Sequence, residues 1–217
     1  MPLNSRSRNL IAFVGFTGLT MLVGSGCEVD GTAIVSQSKP KETSPSANPM
    51  IVRQTDSEGQ PLPFVTLFPN RWSSGNDGTT YEPCTAISAQ ELRSLDLIPE
   101  TASDAAVADH QTVRGCTWFY RNSETPSMSQ SVGNAKPIAE YKAQLSTTMD
   151  WLPDITISNR VVAIGSLAPD TCSTATRSGR ANVVTMYSVS PVDPPPLPTL
   201  CAKALEFTRA TIDKMPP

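Results

Sequence analysis

Cys27 is the residue whose neighbours define its chemistry most narrowly. Ser25 and Gly26 precede it with small side chains, and upstream an apolar run over 10–23 follows Arg6 and Arg8. Basic flank, apolar segment and small residues, in that order, make a signal peptide. The apolar run spans about 21 Å as a helix, short of the ~30 Å hydrocarbon core of a bilayer, so a permanent membrane span is the weaker reading. A lipoprotein peptidase needs small side chains at the scissile bond and a cysteine thiol carrying diacylglycerol. The expectation is cleavage after residue 26 and lipidation of Cys27. Removal of 1–26 also takes away Arg6 and Arg8, so the remaining chain is more acidic than the full chain's formal −3. Acyl chains, not polybasic attraction, must then hold it at a membrane.

Cys84, Cys116, Cys172 and Cys201 remain, an even number that suits disulfides in an oxidising compartment. Of the three possible pairings, Cys84 with Cys116 and Cys172 with Cys201 is favoured, because each closes a loop of about 30 residues within one half of the chain. Such loops are worth about 3–4 kcal/mol apiece on the chain-entropy estimate. There is no Cys-x-x-Cys pair to favour a zinc site, and no metal is expected.

The stretch 70–81, Asn-Arg-Trp-Ser-Ser-Gly-Asn-Asp-Gly-Thr-Thr-Tyr, is the candidate binding segment. Trp72 and Tyr81 flank a polar, Gly-containing run with Asn76 and Asp77, a combination suited to stacking on and hydrogen-bonding a glycan. The competing reading is structural: both aromatics cover a sheet edge while Asn76-Asp77-Gly78 turns. A calcium loop is disfavoured because EF-hand spacing and its terminal Glu are missing.

Catalytic constellations are weak. The single histidine, His110, lies in a polar stretch that reads as loop, and no Gly-x-Ser-x-Gly elbow occurs. Glu82, Glu91, Asp104, Asp109 and Asp170 supply carboxylates for a glycosidase pair, but spacing singles out none of them. No catalytic residue and no cofactor are therefore expected. With 17 basic and 20 acidic side chains in 217 residues, the composition also excludes a nucleic-acid partner bound by phosphate neutralisation.

The elements that must position these residues are partly visible. Residues 27–61, rich in Ser, Thr, Pro and charge, read as a flexible tether, and 62–217 as one domain. Ser88 and Glu91 form a capping box with Ile87 and Leu92 as its staple, which predicts a helix over 89–96. In 115–120, Cys116, Trp118 and Tyr120 share one face of a strand. Pro137, then Ile138, Tyr141, Leu145 and Met149, predicts a helix with an apolar stripe. Residues 161–165 and 181–189 are β-branched strands, with Val183, Thr185, Tyr187 and Val189 facing one way. Leu197, Leu200, Cys201, Ala204, Leu205, Thr208 and Ile212 form the inner face of a last helix. The expected class is α+β: a small, mainly antiparallel sheet with helices packed on one face and two disulfides.

Pro83-Cys84 before an Ala- and Leu-containing helix, Cys116-Thr117-Trp118, and the late Cys172 and Cys201, all behind Cys27, resemble a family of actinobacterial lipoproteins catalogued as a domain of unknown function. Asp96 stands where that family's Gly is expected. The resemblance implies an envelope lipoprotein on the extracytoplasmic face of the cell membrane and adds no catalytic residue. The expected activity is non-catalytic binding of an envelope protein or glycan, with the membrane reached through the lipid anchor. A lipid or glycolipid carrier, its cavity lined by the stripes over 138–149 and 197–212, is the alternative, and a wall hydrolase ranks below both.

Overall fold

A computed structural model describes residues 52–121 and 125–217. Cys27, the expected signal peptide and the tether up to residue 51 lie outside the described residues. The domain starts earlier than expected. Thr55 bridges Pro61, and the buried Asp56 carboxylate accepts the Glu58 and Gln60 amides, both at 2.8 Å, and the Thr85 hydroxyl at 2.6 Å. Burial raises the pKa of Asp56, but these hydrogen bonds outweigh it and hold it below the usual carboxylate value. Residues 52–61, assigned to the tether, are thus fastened to the domain.

Seven strands form one antiparallel sheet: β1 (Ser103–Asp104), β2 (Val113–Phe119), β3 (Ser127–Asn134), β4 (Asp150–Ile157), β5 (Arg160–Ser166), β6 (Thr171–Ser178) and β7 (Ala181–Ser188), in the order β1-β2-β3-β7-β6-β5-β4. The sheet is two meanders, β1–β3 and β4–β7, joined along β3 and β7, where Gln130 lies opposite Thr185. Among the described residues four α-helices accompany it: α1 (Pro83–Ala86), α2 (Ala89–Ser94), α3 (Ile138–Gln144) and α4 (Leu197–Thr211). The expected α+β class and both disulfides are present, with Cα–Cα distances of 5.2 Å for Cys84–Cys116 and 5.0 Å for Cys172–Cys201.

The inner face of the sheet carries the core. Cys116 and Trp118 from β2, Met128 and Val132 from β3 and Val183 from β7 are buried, and Trp118 packs on Phe207 of α4 with ring centroids 5.5 Å apart. Much of this interior is polar. Tyr81 donates to Gln130 Oε1 at 2.6 Å, and Gln130 Nε2 donates to Thr185 at 2.9 Å and Thr211 at 3.0 Å. Thr174 and Thr208 pair at 2.6 Å. These buried groups are mutually satisfied, which removes the desolvation cost each would otherwise carry.

Local signals hold where both partners are close in sequence. Ser88 and Glu91 make the reciprocal capping box, and α2 ends in a Schellman turn: Leu97 N–H donates to Leu92 O at 3.0 Å and Asp96 N–H to Arg93 O at 3.2 Å. Asp96 takes φ +62°, the left-handed conformation that favours glycine.

Two expectations need correction. Helix α3 ends at Gln144, because Ser146 returns its hydroxyl to Ala143 O at 2.8 Å and Thr148 to Leu145 O at 3.3 Å, so Met149 falls in the following turn. Nor do all helices share one face. Cys172 and Thr174 reach α4, whereas the alternate residues Ser173 and Ala175 line a cleft with Tyr141 of α3, which lies on the opposite face.

Candidate binding site

The segment that sequence singled out is a structural brace. Asn76 is fully buried, its amide donating to Arg71 O at 3.0 Å and Gln111 O at 3.1 Å. Tyr81 is buried against Gln130, and burial pushes its phenol pKa well up. Trp72 is half-buried with two guanidinium groups over its ring, Arg53 at 4.2 Å and Arg71 at 4.6 Å. Only Asp77 is open to solvent, and it accepts from Asn134 at 2.7 Å. The four candidates do not converge on one surface, and the structural reading of this segment describes them.

Behind them lies a charge cluster that sequence did not reveal. Arg71, fully buried, gives Nη1 and Nη2 to Glu82 at 2.9 and 3.0 Å, Nε to Asp104 at 3.0 Å, and Nη2 also to Gly115 O at 3.2 Å and Cys84 Sγ at 3.3 Å. Arg114 joins through Nη1 to Glu82 at 3.0 Å and caps the Thr79 and Tyr81 carbonyls. Burial would lower the Arg71 pKa, but Glu82 and Asp104 override it and raise it; at Arg114 burial prevails and lowers it. Two cations and two anions balance, and Glu82 and Asp104 are occupied as structural counter-ions. Of the other carboxylates, Glu91 caps α2 and Asp109 accepts the Asn70 amides at 2.7 and 2.8 Å. His110 is 73% exposed at its side chain, with Asp109 3.9 Å away. Among the described residues no three His, Cys, Asp or Glu side chains group to hold a metal.

A concave apolar site lies on the other face. Helix α3 and the turn after it stand off β5–β7 and leave a cleft of about 260 Å³. Its walls are Tyr141, Leu145, Met149, Trp151, Leu167 and Met186, and its floor is Ser173, Ala175 and Val184. Tyr141 and Trp151 meet edge-on at 6.1 Å, and Trp151 Nε1 donates to Lys142 O at 3.2 Å, which fixes the indole. Gly165 makes room for it: a Cβ there would lie 2.8 Å from Trp151 Cε3 and 2.9 Å from Met149 Cε. Lys142 pairs with Asp154 at 2.5 Å and holds its ammonium 5.4 Å from the Trp151 ring centroid, while Leu167 is 59% exposed. Sequence had marked Tyr141, Leu145 and Met149 as an apolar stripe, but Trp151, Leu167 and Met186 lie on other elements and carried no signal of their own.

This lining suits a small apolar group. At about 260 Å³ the cleft lies below the ~300–1,000 Å³ of sites that enclose whole drug-sized ligands. It holds one or two hydrophobic side chains or one short acyl segment. A diacyl glycolipid exceeds it.

No curated protein and no solved structure matches this chain. Residues 22–214, which include the brace, the charge cluster and the cleft, match DUF3558, described as a protein of unknown function, and the chain belongs to that family.

Proposed function

We propose that this protein is a lipid-anchored lipoprotein of the cell envelope, held by acylated Cys27 on the extracytoplasmic face of the membrane, with a non-catalytic domain that binds an apolar group of an envelope partner. The cleft between α3 and the sheet is the observation that carries the binding reading, since it is apolar, concave and built on fixed aromatic walls. The compartment is supported separately: the other four cysteines pair as two disulfides, and Cys27 follows Ser25-Gly26 behind an apolar run. The non-catalytic reading is supported by the engagement of Glu82, Glu91, Asp104 and Asp109 in structural contacts.

Intact mass of the membrane-fraction protein, before and after reduction and alkylation, tests the anchor: a chain starting at acylated Cys27 with four cysteines alkylated only after reduction is expected. A chain starting at Met1 with free thiols rejects it. Filling the cleft by Ala175→Phe tests the site. Partner binding should fall at least tenfold with both disulfides intact, and unchanged binding rejects the cleft.

The size of the cleft favours this reading over lipid carriage. Organic extraction of the purified chain followed by mass spectrometry separates the two: a binding domain yields no stoichiometric lipid beyond the anchor, whereas a carrier yields one lipid per chain.

A further inference from the structure

The most exposed apolar side chains near the start of the domain lie where the chain enters it. Val65 and Leu67 are 77% and 79% exposed, whereas Thr66 between them and Leu62 before them are buried. Such alternation is that of extended backbone, which puts Val65 and Leu67 on one side. The segment is braced. The Gln54 side-chain amide accepts from Thr66 N–H at 3.0 Å and donates to Thr66 O at 2.9 Å, occupying both backbone groups of the residue between the two exposed side chains. Phe64, Phe68 and Trp72 are half-buried in the same stretch, and exposed Arg53 holds its guanidinium 4.2 Å over the Trp72 ring.

Projecting aliphatic side chains, aromatic rings behind them and an arginine alongside are what a membrane–water interface accommodates. A protein partner is the poorer fit: two side chains fall far short of the ~800 Å² each partner contributes to a stable interface. The position of this edge argues the same way. Gln54 is two residues after the first described residue, and about 25 residues separate Val52 from Cys27, a span of at most roughly 85 Å when fully extended. The chain enters the domain beside this edge, so an anchor at Cys27 would hold this edge, and not the far end of the sheet, within the chain's length of the bilayer.

We infer that the edge carrying Val65 and Leu67 seats in the bilayer interface beside the anchor and sets the domain's orientation, leaving the cleft under α3 free for a partner. This rests on the lipid-anchor reading. The test uses the full acylated chain in phosphatidylethanolamine–phosphatidylglycerol vesicles doped with a phospholipid carrying a diazirine on its acyl chain. After irradiation and trypsin digestion, lipid adducts should appear on the peptide between Arg53 and Arg71. In the Val65→Asp/Leu67→Asp variant their yield should fall at least fivefold while flotation with the vesicles is unchanged; exposed positions tolerate the exchange, and retention of both disulfides checks the fold. A chain that floats with that peptide unlabelled overturns this inference and leaves the anchor standing. A chain that does not float overturns both. Concentration-dependent protection of 62–69 from hydrogen exchange without lipid would assign the edge to self-association and overturn it too.

Discussion

Arg71 and Glu82 meet as a buried bidentate pair, Nη1 to Oε2 at 2.9 Å and Nη2 to Oε1 at 3.0 Å, with side chains 0% and 2% exposed. The same carboxylate is the sole ionic partner of Arg114 among the described residues, and Arg114 Nε is buried without a hydrogen-bond partner there. Removing the charge of Glu82 strands one guanidinium and weakens the hold on the other. Glu82→Gln should therefore lower unfolding stability by about 3–5 kcal/mol, read from the urea midpoint. A loss below 1 kcal/mol would show that the cluster is not a central support.

Glu91 links the start of α2 to the C-terminal region. Lys214 at 2.6 Å, the Ser88 amide and the Ser88 hydroxyl hold its carboxyl down at about 2, against an ordinary 4.5. Its folded-state pKa is depressed, so its contribution is complete above about pH 4.5 and is lost as pH falls toward 2. The pair is solvent-screened, so the stabilisation is about 0.5–1 kcal/mol. Urea midpoints should fall across that window, and Glu91→Gln should flatten that part of the profile; identical acid limbs for both chains would reject the assignment.

Asp96 occupies the left-handed position of the Schellman turn that ends α2. Glycine carries no Cβ penalty there, so Asp96→Gly should raise stability by roughly 0.5 kcal/mol, while Asp96→Val should lower it by about 1 kcal/mol or more. Thermal unfolding of the two variants should bracket the parent. A lower midpoint for the glycine variant would mean that the Asp96 side chain holds the turn by a contact of its own.

The two disulfides span 32 and 29 residues, so chain entropy alone predicts nearly equal losses of about 3–4 kcal/mol on removal. Cys84 also contacts Arg71 Nη2 at 3.3 Å, inside the charge cluster. Cys84→Ser/Cys116→Ser should consequently cost more than Cys172→Ser/Cys201→Ser in denaturant titrations. The reverse order would show that anchoring α4 matters more.

What could be read from sequence was local. The Ser88–Glu91 box and the Cys116-x-Trp118 alternation each lie within one element and are present, and of the inner face of α4 Leu200, Cys201, Ala204 and Thr208 were legible while Phe207 and Thr211 were not. Strands β3 and β6, Ser-Met-Ser-Gln-Ser-Val-Gly-Asn and Thr-Cys-Ser-Thr-Ala-Thr-Arg-Ser, gave no apolar period because their inward residues include Gln130, Thr174 and Thr176, buried through hydrogen bonds or backbone contacts made elsewhere. Arg71 and Arg114 carried no signal of their own, since nothing in a linear chain shows that Glu82, 11 and 32 residues away, will pair with them. The segment containing Trp72 and Tyr81, a candidate for glycan binding on its residue types, spends its aromatics and amides on the protein's own groups. The cleft was half legible, as the stripe on α3 without the opposite wall.

The seam between β3 and β7 bears on the order in which the chain can fold. Each meander is built from neighbours in sequence and each half closes its own disulfide, so both can organise early. The inner face of β2 and β3, partly covered by Cys84, Ile87 and Leu92, is nevertheless completed only by α4, whose Phe207 and Thr211 reach Trp118 and Gln130. A chain synthesised from its N-terminus therefore carries that incomplete apolar face over the sixty or so residues between the end of β3 and the start of α4. The last twenty or so residues act as the latch that ends that vulnerable interval.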